Sequence, residues 1–276
     1  MSPTQVHDDT YESQGPTSLA AIVTGGAGEG IGHGITEALA GQGWAVLVVD
    51  RDADQARHLE DRVRADGGRI EVLIADITAP DTPVLAVQTA LQAFGHISGL
   101  VNNAGVGLCK PIAEVEDEEF EKLLDVDLRA AFRFCRAVIP EMLSTGGSIV
   151  NIGSVHAHRT IRGYGIYGCV KSALEGLTRG VAIDYGQHGV RANCVHPGLV
   201  SSPQNRNLIG AFDPDPDRWL SRYIETKQLI SSLVTSQEVG DLVSWLLSPK
   251  SATMTGQAIT LDGGTSAMLF EREARL

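Results

Sequence analysis

The sequence predicts an α/β fold: a doubly wound, seven-stranded parallel sheet with helices on both faces. Apolar runs of strand length alternate with longer stretches of helical periodicity, the pattern of βαβ units whose sheet is buried on both sides. A glycine-rich loop follows the first run directly and opens a helix, the punctuation of a Rossmann-like unit. The 276 residues are 43% apolar, enough to bury one large core in one domain.

The first strand is read at LAAIVT (19–24), and TGGAGEGIGHG behind it turns the chain into a helix. The second, WAVLVVD (44–50), ends in an acid. Asp52 or Asp54 can cap the next helix, which runs to Asp66 and stops at Gly67 and Gly68. IEVLIAD (70–76) and GLVNNA (99–104) are the third and fourth strands. Over 111–143 the acidic stretch EVEDEEFEKLL begins a long amphipathic helix, interrupted near residues 125–127, with Pro140 close to its end. GSIVNIGS (147–154), VRANCVH (190–196) and QAITLD (257–262) complete the sheet. Residues 201–235 break the alternation, with PDPD at 214–217 and a helical piece RWLSRYIETK. An irregular insert before the last strand reads as a substrate lid. The domain is expected over 19–276, behind a polar tail at 1–18 that lacks the basic and apolar regions of a signal peptide.

With 34 acidic against 22 basic residues, the net charge of −12 repels nucleic acid and anionic lipid surfaces, and no basic run offsets it. No apolar run approaches the ~20 residues of a membrane helix. Cys109, Cys135, Cys169 and Cys194 form no CxxC pair, which fits free thiols in a reducing cytoplasm. The eight histidines show no ligand spacing such as HExxH, so no metal is expected. A small molecule remains as the expected partner.

The glycine loop points to that molecule. Glycines let the backbone turn sharply and approach a pyrophosphate, whose charge then sits at a helix N-terminus. The candidate cradle is Gly25, Gly28, Glu29, Gly30 and Ile31. Asp50 closes the second strand twenty residues after Gly30, where a carboxylate binds ribose hydroxyls and repels a 2′-phosphate, favouring NAD over NADP. Arg51 pulls weakly toward NADP. Asp76 and Ile77 stand where adenine would lie, and Asn103, Ala104 and Gly105 end the fourth strand beside the cofactor.

Tyr167 and Lys171 are four apart and share a helix face. Tyr164 shares it too if the helix has already begun, so spacing within the helix does not choose between the tyrosines. Ser154, at a strand end thirteen residues before Tyr167, makes the choice. With TGGAGEGIG, NNAG, NIGS, YGCVK, HPGLVSSP and LDGG in this order over 19–264, the chain resembles the short-chain dehydrogenase/reductase family in its single-domain form.

That resemblance implies roles. Tyr167 is the general acid/base, its phenol brought toward neutrality from an ordinary value near ~10 by the cations of Lys171 and oxidised nicotinamide. Lys171 also holds the nicotinamide ribose, and Ser154 steadies the reacting oxygen. Pro197, Gly198, Val200 and Ser202 match the turn that grips the nicotinamide carboxamide. A homotetramer is the usual assembly. The chain departs from the family in three places: four residues (26–29) where the phosphate loop usually has three, Asp127 where a helix-interrupting Asn usually stands, and Gly168, Cys169 and Val170 between Tyr and Lys. Asp127 can still kink the helix, but it brings a charge to the proton-relay position.

The stretch after Ser154 gathers His156, His158, Arg159 and Arg162. With Tyr164 as a pocket wall and Arg206 on the insert, these cations suit a polar or anionic substrate such as a sugar, sugar acid or hydroxy acid; a solvated loop or a subunit contact explains them equally well. The leading expectation is therefore an NAD-dependent oxidoreductase on a secondary alcohol or ketone. The alternatives are an NADPH-linked 3-oxoacyl-type ketoreductase and a non-catalytic NAD-binding protein.

Overall fold

The computed structural model describes residues 19–268; the tail expected at 1–18 and the last stretch of the expected domain, 269–276, lie outside the described residues. The chain runs β1 (Ala20–Thr24), α1 (Ile31–Gly41), β2 (Ala45–Asp50), α2 (Ala53–Ala65), β3 (Arg69–Ile74), α3 (Thr82–Phe94), β4 (Gly99–Asn102), α4 (Asp117–Leu124) and α5 (Ala130–Met142). It continues through β5 (Gly147–Ile152), α6 (Gly165–Tyr185), β6 (Val190–Pro197), β7 (Val200–Ser201), α7 (Pro203–Gly210), α8 (Pro216–Lys227), β8 (Val234–Thr235), α9 (Ser236–Leu247) and β9 (Ala258–Leu261). Among the described residues no helix is long and apolar enough to cross a membrane.

Seven strands form one sheet in the order β3-β2-β1-β4-β5-β6-β9, every pair parallel. Alternation along the strands divides the core between the two faces. Val23, Val46 and Val48 join Ile35, Leu39, Val243 and Leu246 on one side. Ile22, Leu47 and Val49 join Leu100, Phe134, Val138 and Ile149 on the other. Each such side chain contributes about 1.5–3 kcal/mol through burial, which is why the strands read as continuous apolar runs. Several strands stop short of their expected ends: β4 at Asn102 and β5 at Ile152. Beyond those points the chain leaves the sheet and turns into the crevice between neighbouring strands.

The order reverses between β1 and β4, which makes this edge the switch point where a doubly wound sheet opens a crevice. α1 and α9 cross closely beside it: a Cβ on Gly34 would lie 2.3 Å from Ser236 O, and one on Gly240 would lie 2.3 Å from Gly34 O. Asp52, rather than Asp54, caps α2 by accepting from the N–H groups of Asp54 and Gln55. The long helix expected over 111–143 is broken where the acids cluster: a π turn at Asp125–Arg129 separates α4 from α5, and its extra residue turns Asp127 inward, leaving it 2% exposed. The irregular 201–235 region is pinned at its base by a separate parallel pair, Val200 with Val234 and Ser201 with Thr235, and carries α7 and α8.

Candidate active site

The glycine loop is braced from below. Gly25 adopts φ +62°, a left-handed conformation natural to glycine, and a Cβ there would lie 2.9 Å from Ala104 Cα. The extra residue of the loop is taken up in a tight turn, Gly30 N–H donating to Gly28 O at 2.7 Å. Glu29 stays exposed. No side chain caps α1 and its first turn carries no acid, so Gly30 and Ile31 open a helix end suited to an anion. Gln204 of α7 reaches over this loop, its Oε1 3.0 Å from where a Cβ of Gly30 would stand.

The crevice floor is a polar lattice. Thr24 Oγ1 accepts from the N–H groups of Asn103 and Ala104 at 3.1 and 3.2 Å. Asn103 Nδ2 donates to Thr24 O at 3.0 Å and Gly25 O at 2.8 Å. Gly32 fits because a Cβ would lie 2.0 Å from Gly25 O. Thr24 and Gly32 belong to the cradle as well, and both stand inside the TGGAGEGIGHG motif, where no spacing singles them out. Asp50 accepts from Ala27 N–H at 3.0 Å and Asp52 N–H at 3.1 Å, tying the end of β2 to the loop. Arg51 beside it is exposed. Asp76 accepts from the N–H and hydroxyl of Thr78, both at 2.8 Å, and these bonds hold its carboxyl below the usual range. Ile77 next to it is buried.

Across the crevice, Lys171 is 4% exposed. Its Nζ donates to Ile152 O at 3.1 Å, lies 3.0 Å from Asp127 Oδ2 and stands 5.7 Å from the Tyr167 ring centre. Burial alone would lower the lysine pKa, but the negative charges of Tyr167 and Asp127 outweigh it and the net direction is up. Asp127 Oδ1 accepts from Val106 N–H at 2.8 Å. Gly105 leaves room for the pair: a Cβ there would lie 2.9 Å from Asp127 Oδ2.

Ser154 follows β5 and is 8% exposed. Its Oγ accepts from His156 N–H at 3.2 Å. His156 stacks on Tyr164 with ring centres 4.6 Å apart and meets Tyr167 edge-on at 5.8 Å. Burial lowers the His156 pKa and raises that of Tyr164, with the neighbouring Cys109 thiol adding to the rise. His156, Tyr164 and Tyr167 thus form one aromatic wall. Arg159 and Arg162 are exposed on the same loop. Two expected cations are turned to other partners: His158 Nε2 lies 3.3 Å from Glu175, and Arg206 pairs bidentately with Asp217, the Nη2–Oδ2 bond being 2.6 Å.

The turn after β6 leads into the 201–235 insert. Gly198 N–H donates to Leu261 O at 2.9 Å next to Pro197. Ser202 caps α7 by accepting from Asn205 N–H at 3.1 Å, while Asn205 donates to Val200 O at 2.8 Å. A cleft of about 270 Å³ opens here, lined by Val200, Ser202, Arg206, Leu220 and Leu233 among others. Trp219 and Tyr223 stack at 5.4 Å and Phe212 abuts Trp219 edge-on at 5.7 Å, so these rings pack the insert against itself.

Residues 26–266 match the family model described as enoyl-(acyl carrier protein) reductase. The chain is 34% identical over 258 residues to the short-chain reductase protein NovJ of Streptomyces niveus, covering 93% of this chain and 97% of that protein. It is 35% identical over 252 residues to a 2,5-dichloro-2,5-cyclohexadiene-1,4-diol dehydrogenase of Sphingobium indicum (90% and 96%). It is 32% identical over 248 residues to trans-4-hydroxycyclohexanecarboxylate dehydrogenase of Sinomonas cyclohexanicum (88% and 91%). Among solved structures it resembles a short-chain dehydrogenase/reductase of Serratia marcescens, with TM-score 0.82 and 32% identity over 90% of this chain and 98% of that one.

Proposed function

Because the chain belongs to the short-chain dehydrogenase/reductase family, a family of oxidoreductases that use a nicotinamide cofactor, we propose that it is an NAD-dependent dehydrogenase acting on a polar secondary alcohol or the matching ketone. The observation that carries this reading is the buried Lys171, held by Ile152 O and Asp127 one helical turn from Tyr167. It lies beside Gly105 just beyond the end of β4, where a Cβ would stand 3.2 Å from its Nζ.

The residues fit a dinucleotide. Gly25, Gly28, Glu29, Gly30 and Ile31 offer backbone to a pyrophosphate, and Asp76, Ile77, Asn103, Ala104 and Gly105 line the way inward. Asp50 ends β2 with both carboxylate oxygens directed to backbone N–H groups. Its negative charge disfavours a 2′-phosphate, which supports NAD. Pro197, Gly198, Val200 and Ser202 would hold the carboxamide end. A bound nicotinamide supplies the acceptor or donor of hydride at its C4.

The protein's own work is positional and protonic. Ser154 Oγ hydrogen-bonds the reacting oxygen, and Tyr167 removes the hydroxyl proton during oxidation or returns it during reduction. Lys171 stays cationic and favours phenolate on Tyr167. Asp127 balances that cation. The His156–Tyr164 stack walls the pocket, and Arg159 and Arg162 supply positive charge at its mouth. A substrate ring bearing a second hydroxyl or a carboxylate suits this wall. Two relatives are named for alcohols on such rings, which supports the polar class. Residues 201–235 act as the lid.

Exposed Phe132 on α5 and Ile183 on α6 (46% and 80%) support a homotetramer built on these helices, and four free cysteines support a cytoplasmic setting. The test is turnover with NAD and with NADP across polyols, aldoses, hydroxy acids, hydroxycyclohexanecarboxylates and apolar secondary alcohols. Preference for NADP refutes the role of Asp50, and faster turnover of apolar alcohols refutes the polar pocket.

A further inference from the structure

Behind Ser154 lies a cluster that none of these roles uses. His196, at the end of β6, is wholly buried. Its Nδ1 accepts from Ser154 N–H at 2.9 Å, and its Nε2 lies 3.2 Å from Glu175 Oε1. The same carboxylate oxygen stands 3.3 Å from His158 Nε2, and the two imidazoles meet edge-on with centres 4.8 Å apart. Arg179 approaches the other oxygen at 3.4 Å. The backbone leaves no slack: a Cβ on Gly153 would lie 2.3 Å from His196 Nδ1.

The protonation pattern follows from this geometry. A neutral imidazole has one N–H and one acceptor nitrogen. Ser154 N–H requires the acceptor to be Nδ1, so the proton sits on Nε2, which lies 3.2 Å from Glu175 Oε1. Burial lowers the His196 pKa, in keeping with a neutral ring. Two histidines and a glutamate with ligand atoms within 4.8 Å of one another also resemble a zinc site. A metal on Nε2, however, would move the proton to Nδ1 and set two N–H donors face to face at Ser154. The hydrogen bond therefore favours a relay without metal.

We propose that Glu175 is a positioning residue for the reaction, fixing the His196 tautomer that holds the Ser154 backbone and anchoring His158 of the substrate loop with the same oxygen. This inference rests on the oxidoreductase reading for its kinetic part alone. Glu175 joins β6, α6 and the loop after β5 in one chain of contacts, so the serine and the loop carrying Arg159 are set together. An error of a fraction of an ångström at a reacting group lowers kcat steeply.

The test uses the full chain and a substrate from the alcohol panel. Glu175→Ala is expected to lower kcat on the order of 10-fold or more, with NADH affinity by fluorescence unchanged. Glu175→Gln, whose amide oxygen still accepts from Nε2–H, is expected to recover most of the loss. Unchanged kcat in the Ala variant, or no recovery with Gln, overturns the proposal. Independently of activity, long-range 15N–1H NMR of 15N-histidine-labelled protein is expected to find His196 as the Nε2–H tautomer; the Nδ1–H form overturns it. Stoichiometric zinc retained through dialysis in wild type and lost in Glu175→Ala overturns it as well, in favour of a metal site. If no alcohol turns over and NADH does not bind, the oxidoreductase reading fails, and the tautomer and zinc measurements still decide this one.

Discussion

Lys171 and Asp127 form a buried ion pair, Nζ to Oδ2 at 3.0 Å, with side-chain exposures of 4% and 0%. Such pairs are costly to break from one side, since the remaining charge is left in a poor solvent. Asp127→Leu is expected to destabilise the protein by about 3–5 kcal/mol in urea unfolding. Asp127→Asn is expected to cost less, because its side-chain oxygen still accepts from Val106 N–H. It also strips the counter-charge from Lys171. In the proposed mechanism a less compensated lysine cation favours the anionic form of the proton acceptor, so the rise of alcohol oxidation with pH is expected to move to lower pH, and an unshifted profile would show that the carboxylate has no electrostatic part in turnover.

The proposed mechanism gives the two tyrosines different roles. Tyr167→Phe removes the proposed proton carrier and is expected to lower kcat on the order of 10²–10⁴-fold, with NADH binding by fluorescence preserved. Tyr164→Phe keeps the stack on His156 and loses only the hydroxyl beside Cys109. It is expected to change substrate KM while leaving most of kcat. Equal losses of kcat in both variants would contradict this division.

The thiols divide two and two. Cys109 and Cys169 are exposed, and Cys135 and Cys194 are buried. Burial pushes both buried thiols up from 9.0 to about 12. A thiol-specific chromogenic reagent is expected to titrate two groups in the native protein and four after denaturation. Between pH 9 and about 12 the unfolded chain has released these protons while the folded one keeps them. Stability is present below that window and falls as pH rises through it. Double Cys135→Ala/Cys194→Ala protein should show a shallower alkaline decline in unfolding midpoint.

Gly34 and Gly240 let α1 and α9 touch. Gly34→Ala places a methyl against Ser236 O and is expected to cost about 1–3 kcal/mol as an overpacking change. Because α1 opens at the phosphate loop, NAD affinity is expected to fall with it. Thermal unfolding and NADH titration measure the two effects. Gly41→Ala is the control: it sits at the end of the same helix with open space around its Cβ.

The inner strands of the main sheet were legible because each is buried on both faces and rich in apolar residues, whereas the edge strands β3 and β9, partly exposed, were legible as short apolar-rich stretches between helical ones. The break near residues 125–127 was legible because Asp127 stands where the family's helix-interrupting Asn usually falls. β7 and β8 were not, since two-residue strands carry no periodicity. The partners of Arg206 and His158 were also out of reach. Asp217 and Glu175 are chosen by tertiary approach, and a sequence shows which charges exist without showing which of them meet. Glu175 lies four residues after Lys171 on one helix, yet only the fold reveals that it turns to β6. Lys171 meets Asp127 at 3.0 Å and stands 5.7 Å from the Tyr167 ring centre, a proximity that the four-residue spacing shows for the tyrosine and that the aspartate owes to the π turn.

The parallel pair of Val200 with Val234 and Ser201 with Thr235 has an evolutionary consequence. The segment between these strands meets the body of the protein at this two-rung clamp and again where the N–H groups of Leu229 and Ile230 donate to Gly263 O at 2.9 and 3.0 Å. Replacing 206–227 by a segment of different length leaves these anchors, Ser202, Gln204 and the Thr235 capping box of α9 in place. Natural selection can therefore remodel that part of the insert as a cassette while the sheet and the crossing of α1 with α9 are inherited intact.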